Sequence, residues 1–162
     1  MISPLAYVDA GAKLGANVTV HPFAYIDKNV EIGDNCEIMP HASIMSGARL
    51  GKGNRVFNGA VIAAEPQDFK YKGDSTLVVI GDDNVIRENV VINRATTPEG
   101  RTVIGNGNFL HEVCMFRMIH RLEIIVYLAM VARFPATVSS RIIQSSEVVC
   151  WQAREAVSVH GR

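Results

Sequence analysis

The sequence has few cysteines, no net charge and no long apolar run, and each of these absences argues against a class of protein. Three cysteines, an odd number without a disulfide-like spacing, argue against a disulfide scaffold and predict reduced thiols. A formal net charge of zero argues against a chain that binds nucleic acid strongly. The apolar fraction of 48% instead indicates a folded core, and 162 residues correspond to one domain or to part of a larger one.

Membrane and export signals are also missing from the sequence. The longest apolar stretch runs from Ile124 to Ala132, far short of a membrane span. The N-terminal segment MISPLAYVDA has neither a basic region nor an apolar run, so we expect no signal peptide. These features predict a soluble, cytoplasmic protein without a transmembrane segment.

What the chain does have is an aliphatic residue at every sixth position. From position 2 to 110, sixteen of the nineteen positions in this phase are aliphatic, and only Asp68, Asp74 and Pro98 break it. A period of six fits neither an α-helix nor an isolated strand. It is typical of a hexapeptide solenoid, in which each repeat forms one flat face of a prism-shaped β-coil. The aliphatic positions are Ile2, Val8, Leu14, Val20, Ile26, Ile32, Ile38, Ile44, Leu50, Val56, Ile62, Ile80, Ile86, Ile92, Ile104 and Leu110.

Each repeat is predicted to point a large residue inward at its first position and a small one at its fifth. Cys36 occupies the fifth position, so we expect it to pack as a small apolar side chain. We assign Asn17, Asn29, Asn35 and Asn84 to the corners between strands, together with the glycines that follow the inward aliphatic residues. Both residue types tolerate the positive φ that tight corners need. Three repeats form an 18-residue coil, which predicts six coils.

Two segments interrupt the repeat and leave its phase unchanged. Residues 65–79 contain proline and several charged residues without a clear hexad, and their polarity favours a loop over a degenerate coil. Residues 96–101 are a second, shorter excursion. Loops on a rigid scaffold commonly carry function, so these segments are where functional residues are expected.

The composition changes abruptly after Glu112. Residues 113–162 contain one glycine and no asparagine, aspartate or lysine, whereas residues 1–112 hold the other twelve glycines. One interpretation is a genuine second segment, in which LEIIVYLAMVARF could form a buried helix. The other is a change of reading frame. With allowed synonymous codons, VCMFRMIHRLEIIVYLAMVARFPAT can be re-read as GMHVSHDTQIGDNCVFGYGSKISGD, which restores the repeat, and we therefore predict a tail that is out of frame.

Residues 1–112 resemble the acyl-(acyl-carrier-protein)–UDP-N-acetylglucosamine O-acyltransferases of lipid A biosynthesis. The resemblance rests on the ordered hexads, on AEPQDFKYKG at 64–73 and on IGDDNVIRENVVINRAT at 80–96. It implies an all-β, left-handed parallel β-helix, truncated here and followed by an aberrant tail over residues 113–162. It also implies a homotrimer whose active site lies between neighbouring subunits.

The resemblance further implies an activity and its site residues. The family transfers a 3-hydroxyacyl group from acyl carrier protein to the 3-hydroxyl of UDP-N-acetylglucosamine, with a histidine as general base and no cofactor or metal. Motif by motif, Gln67, Asp68 and Lys70 are assigned to the nucleotide-sugar, and Asn93 stands where some relatives carry a histidine near the sugar. The general-base histidine of an H-x-x-H-D segment would fall at Met118, so the chain as written is expected to be inactive.

Other interpretations stay open at this point. The chain could be another hexapeptide acyltransferase, such as the N-acyltransferase acting later in the same pathway, or a non-catalytic β-helix. Asp68 and Lys70 could form a solvated loop pair. His21, His41 and His111 invite comparison with zinc-binding hexapeptide enzymes. Five coils, about 24 Å, should separate His21 from His111 in one column, which is too far for a shared metal.

Overall fold

A computed structural model describes residues 1–69, 71–112, 115–116 and 148–149. The elements in these ranges are short β-strands, and no helix that could cross a membrane occurs among them. The strands are β1 (Tyr7–Val8), β2 (Lys13–Leu14), β3 (Thr19–Val20), β4 (Tyr25–Ile26), β5 (Glu31–Ile32), β6 (Glu37–Ile38), β7 (Ser43–Ile44), β8 (Ala48–Leu50), β9 (Arg55–Val56), β10 (Val61–Ala64), β11 (Leu77–Ile80), β12 (Val85–Ile86), β13 (Val91–Asn93), β14 (Arg101–Ile104), β15 (Phe109–Leu110), β16 (Met115–Phe116) and β17 (Val148–Val149).

Consecutive strands go to three different sheets, and the chain therefore winds as a coil. Sheet I joins β1, β4, β7, β10, β13 and β16 in parallel, with β17 antiparallel to β16. Sheet II joins β2, β5, β8, β11 and β14, and sheet III joins β3, β6, β9, β12 and β15. Strand pairs eighteen residues apart, such as Glu31 with Arg49, are in register. The predicted parallel β-helix of hexapeptide repeats is thus confirmed.

The predicted number of coils is wrong. The structure has about five turns, and sheets II and III each contain five strands. Dividing the whole span by 18 residues gives six coils, but this span includes the two interruptions. The interruptions lengthen a coil without adding a turn. For the same reason His21 and His111 are four strand steps apart, about 19 Å, and not five.

The six-residue phase correctly predicts the core. Thirteen of its sixteen aliphatic side chains are buried, from Val20 to Leu110. The three others belong to the first coil: Val8 and Leu14 are partly buried, and Ile2 is 52% exposed. A first coil has a neighbour on only one side, which leaves its apolar residues partly in water. Each fully buried Val or Ile contributes roughly 1.5–3 kcal/mol.

The fifth position of the repeat forms a second inward column, and part of it is polar. Cys36 is 1% exposed, as predicted, and burial raises the pKa of its thiol. The assignment of Asn84 to a corner is wrong, because its side chain is buried between Asn54 and Asn108. Asn84 Nδ2 donates to Asn54 Oδ1 at 3.0 Å, and Asn108 Nδ2 donates to Asn84 Oδ1 at 2.9 Å. These three side chains, here called the asparagine ladder, satisfy polar groups that the core would otherwise leave unpaired.

The corners turn at the fourth position of the repeat, as the φ angles of Asn17, Asn29 and Asn35 show. The predicted role of the glycines that follow the inward aliphatic residues is wrong, because none of them has a positive φ. Coils approach too closely there for a side chain: a Cβ on Gly33 would lie 2.6 Å from the carbonyl carbon of Gly51. This glycine column comprises Gly15, Gly33, Gly51, Gly81 and Gly105.

Both interruptions are loops, with boundaries that differ from the prediction. The first covers residues 65–76, because the predicted loop residues 77–79 belong to β11 and pair with β8 and β14. The second covers residues 94–100, and Arg101 already belongs to β14. The apolar residues LVV at 77–79 favour the strand, because each lies between two neighbouring coils.

The glycine column yields a stability prediction. We expect Gly33→Ala to destabilise the 162-residue chain by about 1–3 kcal/mol, because the added methyl overlaps a backbone that hydrogen bonds hold in place. Urea unfolding followed by circular dichroism measures the change. Gly11→Ala is the matched control, since its Cβ would meet Asp9 Oδ1 at 3.3 Å and no backbone closer than 3.8 Å. Equal effects of the two substitutions would contradict the explanation.

The asparagine ladder yields a second stability prediction. Asn84→Ala removes one hydrogen bond donated to Asn54 and two accepted from Asn108, and we expect a loss of about 2–3 kcal/mol. Asn35→Gly serves as the control, because Asn35 is exposed and glycine keeps its corner φ of 56°. The same urea titration applies. A ladder variant as stable as the control variant would show that the buried amides contribute nothing.

Candidate functional site

The chain leaves the coil for the loop at residues 65–76 through a bulge in β10. The register of β10 with β13 shifts between Ile62 and Ala64, and Ala63 has a φ of 60°. A non-glycine residue in this conformation is uncommon, and such bulges frequently lie beside functional sites. The loop identified from the sequence therefore departs from a defined point on sheet I.

Asn93 lies at the base of this loop, with its side chain turned inward. It ends β13, pairs with Ala64 and is 1% exposed. Its Nδ2 donates to the backbone oxygen of Glu65 at 2.5 Å, and its own backbone oxygen accepts from Thr102 Oγ1 at 2.8 Å. Its Oδ1 is buried without a hydrogen-bond partner among the described residues. Asn93 thus fixes the first residue of the loop and keeps one free acceptor.

Gln67 and Asp68 follow two and three residues after this fixed point. Gln67 is exposed, and Asp68 is partly exposed and accepts a hydrogen bond from the backbone nitrogen of Tyr71 at 3.0 Å through its backbone oxygen. The structure therefore brings Gln67, Asp68 and Asn93 to one loop and its base. Lys70 and Met118, the other positions singled out from the sequence, lie outside the described residues.

Two residues that the sequence reasoning missed also hold the loop. The Arg94 guanidinium lies 3.8 Å from Glu65 Oε1 and 5.8 Å from the ring centroid of Tyr71. Tyr71 Oη donates to the backbone oxygen of Asp74 at 3.1 Å. Both residues lie inside the segments that carry the family resemblance, which was the only available signal, because neither falls on the six-residue phase.

Sheet III carries a row of charged and aromatic side chains on its outer surface. His21 Nε2 lies 3.2 Å from Glu37 Oε1, and Arg55 Nε donates to Glu37 Oε2 at 3.1 Å. The hydrogen bond from His21 is the main cause that lowers the pKa of the Glu37 carboxyl, and the bond from Arg55 lowers it by a smaller amount. Further along the row, Arg55 and Arg87 both lie over Phe57. These contacts stabilise the face of sheet III and lie away from the loop base.

The histidines do not assemble a metal site in the described residues. His21 pairs with Glu37, His41 stacks on Phe23 at 5.3 Å, and His111 contacts Phe109 edge-on. Within residues 1–69 and 71–112, no group of three or more histidine, cysteine, aspartate or glutamate side chains could hold a metal ion.

The hexapeptide repeats of this chain match a known family of repeats. The sequence model of bacterial transferase hexapeptide repeats (six repeats) matches residues 29–64. The fold, the repeat and this match define a hexapeptide-repeat β-helix that is similar to those of bacterial transferases.

Within that class, the similarity is to the UDP-N-acetylglucosamine O-acyltransferases, and the resemblance stated from the sequence is confirmed. Over 111 residues the chain is 52% identical to the acyl-(acyl-carrier-protein)–UDP-N-acetylglucosamine O-acyltransferase of Xanthomonas oryzae pv. oryzae (strain PXO99A). That match covers 68% of this chain and 42% of the relative. The protein of the same name from Gloeothece citriformis (strain PCC 7424) is 59% identical over 61 residues, which are 38% of this chain and 22% of the relative.

Solved structures give the same result. The UDP-N-acetylglucosamine acyltransferase from Bacteroides fragilis 9343 is 55% identical with a TM-score of 0.71, covering 73% of this chain and 46% of that chain. The Francisella novicida enzyme is 38% identical with a TM-score of 0.63 and the same two coverages. These structures are left-handed parallel β-helices, which confirms the predicted fold class. The chain spans less than half the length of each of these four relatives.

Glu37 yields a prediction on pH dependence. Because its pKa is lowered in the folded chain, ionised Glu37 stabilises the fold above its ordinary pKa of 4.5, and this contribution is lost as the pH falls further. The carboxyl is one-third exposed, so we expect at most about 1 kcal/mol. Urea unfolding at a series of pH values should show a shallower acid-side decline for Glu37→Gln than for the unsubstituted chain. Identical profiles for Glu37→Gln and the unsubstituted chain would refute the assignment.

Proposed function

We propose that residues 1–112 are the N-terminal coils of an acyl-(acyl-carrier-protein)–UDP-N-acetylglucosamine O-acyltransferase. The observation that carries this proposal is 52% identity over 111 residues to an enzyme of that name, together with the QDFKY loop fixed on Asn93. The reaction transfers a 3-hydroxyacyl group from acyl carrier protein to the 3-hydroxyl of the sugar, the first step of lipid A biosynthesis.

The chemistry needs a base, an oxyanion donor and a bound nucleotide-sugar. A histidine removes the proton of the sugar hydroxyl, because its pKa lies near the working pH. The hydroxyl oxygen attacks the thioester carbonyl, and a backbone N–H stabilises the tetrahedral oxyanion. Collapse of this intermediate forms the ester and releases the thiol of acyl carrier protein. None of these steps requires a metal or a cofactor.

The loop at residues 65–76 is the part of this site that we assign to the described chain. We propose that Gln67, Asp68 and Lys70 bind the nucleotide-sugar, and that Asn93 acts near the sugar. The exposure of Gln67 is consistent with this role, and so is the position of Asp68 on the same turn. Because Asn93 is 1% exposed, we assign it an indirect role near the sugar: its Nδ2 holds the backbone of Glu65 at the first residue of the loop.

The chain as written has Met118 where the general base belongs. A thioether cannot accept the proton of a hydroxyl, so we propose that this chain is an inactive form of the enzyme, with the sequence after Glu112 out of frame. We further propose that the restored enzyme is a cytoplasmic homotrimer whose partners are acyl carrier protein and UDP-N-acetylglucosamine. Interaction with nucleic acid is not part of the proposed function.

The decisive experiment compares the chain as written with its restored reading. One base inserted after codon 112, with the open frame continued, should restore GMHVSHD and the hexads. We expect acyl transfer from 3-hydroxyacyl carrier protein to UDP-N-acetylglucosamine only in the restored protein, detected as the acylated nucleotide-sugar by mass spectrometry. The restored reading with alanine at position 118 should lose about 10²–10⁴-fold in rate, as expected for a missing general base.

The remaining outcomes separate the alternatives. Transfer to an amine-bearing sugar nucleotide by the restored protein would support the N-acyltransferase interpretation instead. Failure to restore any transfer would favour a non-catalytic β-helix. Activity of the chain as written would overturn the role of position 118.

A further inference from the structure

We propose that Arg94 is the positioning residue for nucleotide-sugar binding, because its guanidinium contacts the beginning and the middle of the loop at residues 65–76. This inference rests on the proposed function insofar as the loop binds a nucleotide-sugar. The anchoring itself is argued from contacts within the described chain and can be tested separately.

Arg94 is held in place through its backbone by the end of β13 and by a hydrogen bond to β10. It follows β13 directly, and its backbone nitrogen donates to the backbone oxygen of Ala64 at 2.9 Å. Its side chain is only 15% exposed, so it lies under the loop and does not extend into solvent. The guanidinium reaches Glu65 Oε1 at 3.8 Å, at the first residue of the loop. Because the Glu65 carboxylate is 79% exposed, this ion pair contributes little by itself.

The ring of Tyr71 is the second contact and fixes the middle of the loop. Its centroid lies 5.8 Å from the guanidinium carbon, within the range of a cation–π interaction. Tyr71 also closes a turn back to Asp68 through its backbone nitrogen, and its hydroxyl donates to Asp74. Gln67 and Asp68 are thereby held between two points, Glu65 and Tyr71, that both contact Arg94.

Gly47 brings the end of the loop to the same side chain. A Cβ placed on Gly47 would lie 3.4 Å from Arg94 Cδ and 2.7 Å from the backbone oxygen of Thr76. The methylene stem of Arg94 and the last loop residue therefore lie against one glycine, and its missing side chain leaves the space that both occupy. Arg94 thus contacts residues 65 and 71, and its stem lies beside the glycine against which residue 76 packs.

An unsatisfied donor distinguishes this arrangement from simple packing. Arg94 Nε is buried without a hydrogen-bond partner among the described residues. Such groups are rare because their desolvation is not compensated, and an aliphatic residue would fill the same space without this cost. Lysine would keep the charge but lose the planar group that stacks on an aromatic ring. The choice of arginine here is explained by its simultaneous contact with a carboxylate and a ring.

The test uses the full 162-residue chain and two arginines that each contact a glutamate and an aromatic ring. Arg94→Met removes the anchor, and Arg55→Met is the matched control, because Arg55 also pairs with a glutamate and lies over an aromatic ring, on sheet III. Chymotrypsin cleavage after the fully exposed Phe69 reports on loop opening. We expect Arg94→Met to accelerate this cleavage about tenfold, the factor for losing a cation–π contact and a weak ion pair. Arg55→Met should leave the cleavage rate unchanged.

Two further variants distinguish positioning from general stability. Tyr71→Leu should accelerate cleavage by itself, and its effect should be smaller when it is added to Arg94→Met, because the contact between the two residues is then already lost and only the hydrogen bond to Asp74 remains to be removed. Arg94→Lys should fall between the unsubstituted chain and Arg94→Met. The thermal midpoint of the coil should not be lower in Arg94→Met than in Arg55→Met, because Arg94 contacts the loop whereas Arg55 contacts sheet III. Unchanged cleavage in Arg94→Met, or full additivity with Tyr71→Leu, would overturn the anchoring.

Ligand binding is measured in parallel. Saturation-transfer NMR with UDP-N-acetylglucosamine should show weaker binding to Arg94→Met than to Arg55→Met by about the factor found for loop opening. If Arg94→Met is cleaved faster but the unsubstituted chain does not bind UDP-N-acetylglucosamine, the anchoring is supported and the nucleotide-sugar assignment is overturned. Binding that is equal in both variants, despite faster cleavage, would overturn the positioning role.

Discussion

Each coil of this protein stacks on the previous one at the spacing of hydrogen-bonded strands, and this constraint governs every other feature. It places residues of successive coils in columns. The residue type at a position therefore depends more on the residues at the same position of the two neighbouring coils than on its neighbours in the sequence. The glycine column exists because two backbones meet where a Cβ would lie 2.6 Å from a carbonyl carbon. The asparagine ladder exists because each buried amide finds its partner one coil away.

The same constraint explains which features could be predicted from the sequence. The inward-facing positions could be predicted because each flat face of the coil points one aliphatic residue into the core at a fixed position. Thirteen of the sixteen such side chains are buried. The coil count was not readable by division, since loops can leave and rejoin the coil without altering the phase. Asn84 was misassigned because its polarity suggested a corner, whereas its fifth position, shared with Asn54 and Asn108, would have placed it inside.

The loop at residues 65–76 shows most clearly what could not be predicted from the sequence. The resemblance pointed to Gln67, Asp68 and Asn93, and the structure brings these to one loop and its base. It gave no reason to single out Arg94, whose partners lie 29 and 23 residues earlier in the chain. Contacts of this kind follow from the path of a loop, which no repeat period encodes. A rigid coil can carry such a loop because its own stability comes from neighbouring coils.

The asparagine ladder also gives the interior of the coil a direction. The backbone nitrogens of Asn84 and Asn108 donate to the side-chain oxygens of Asn54 and Asn84, which fixes these two amides with their oxygens toward the C-terminal end, and Asn108 Nδ2 donates back to Asn84 Oδ1. Rotating one amide by half a turn would bring like groups face to face, so the three orientations are set together. A coil inserted by duplication between those that carry Asn54, Asn84 and Asn108 would need an amide at the same position of its repeat. A coil with only aliphatic inward residues could be duplicated elsewhere along the axis without breaking these hydrogen bonds.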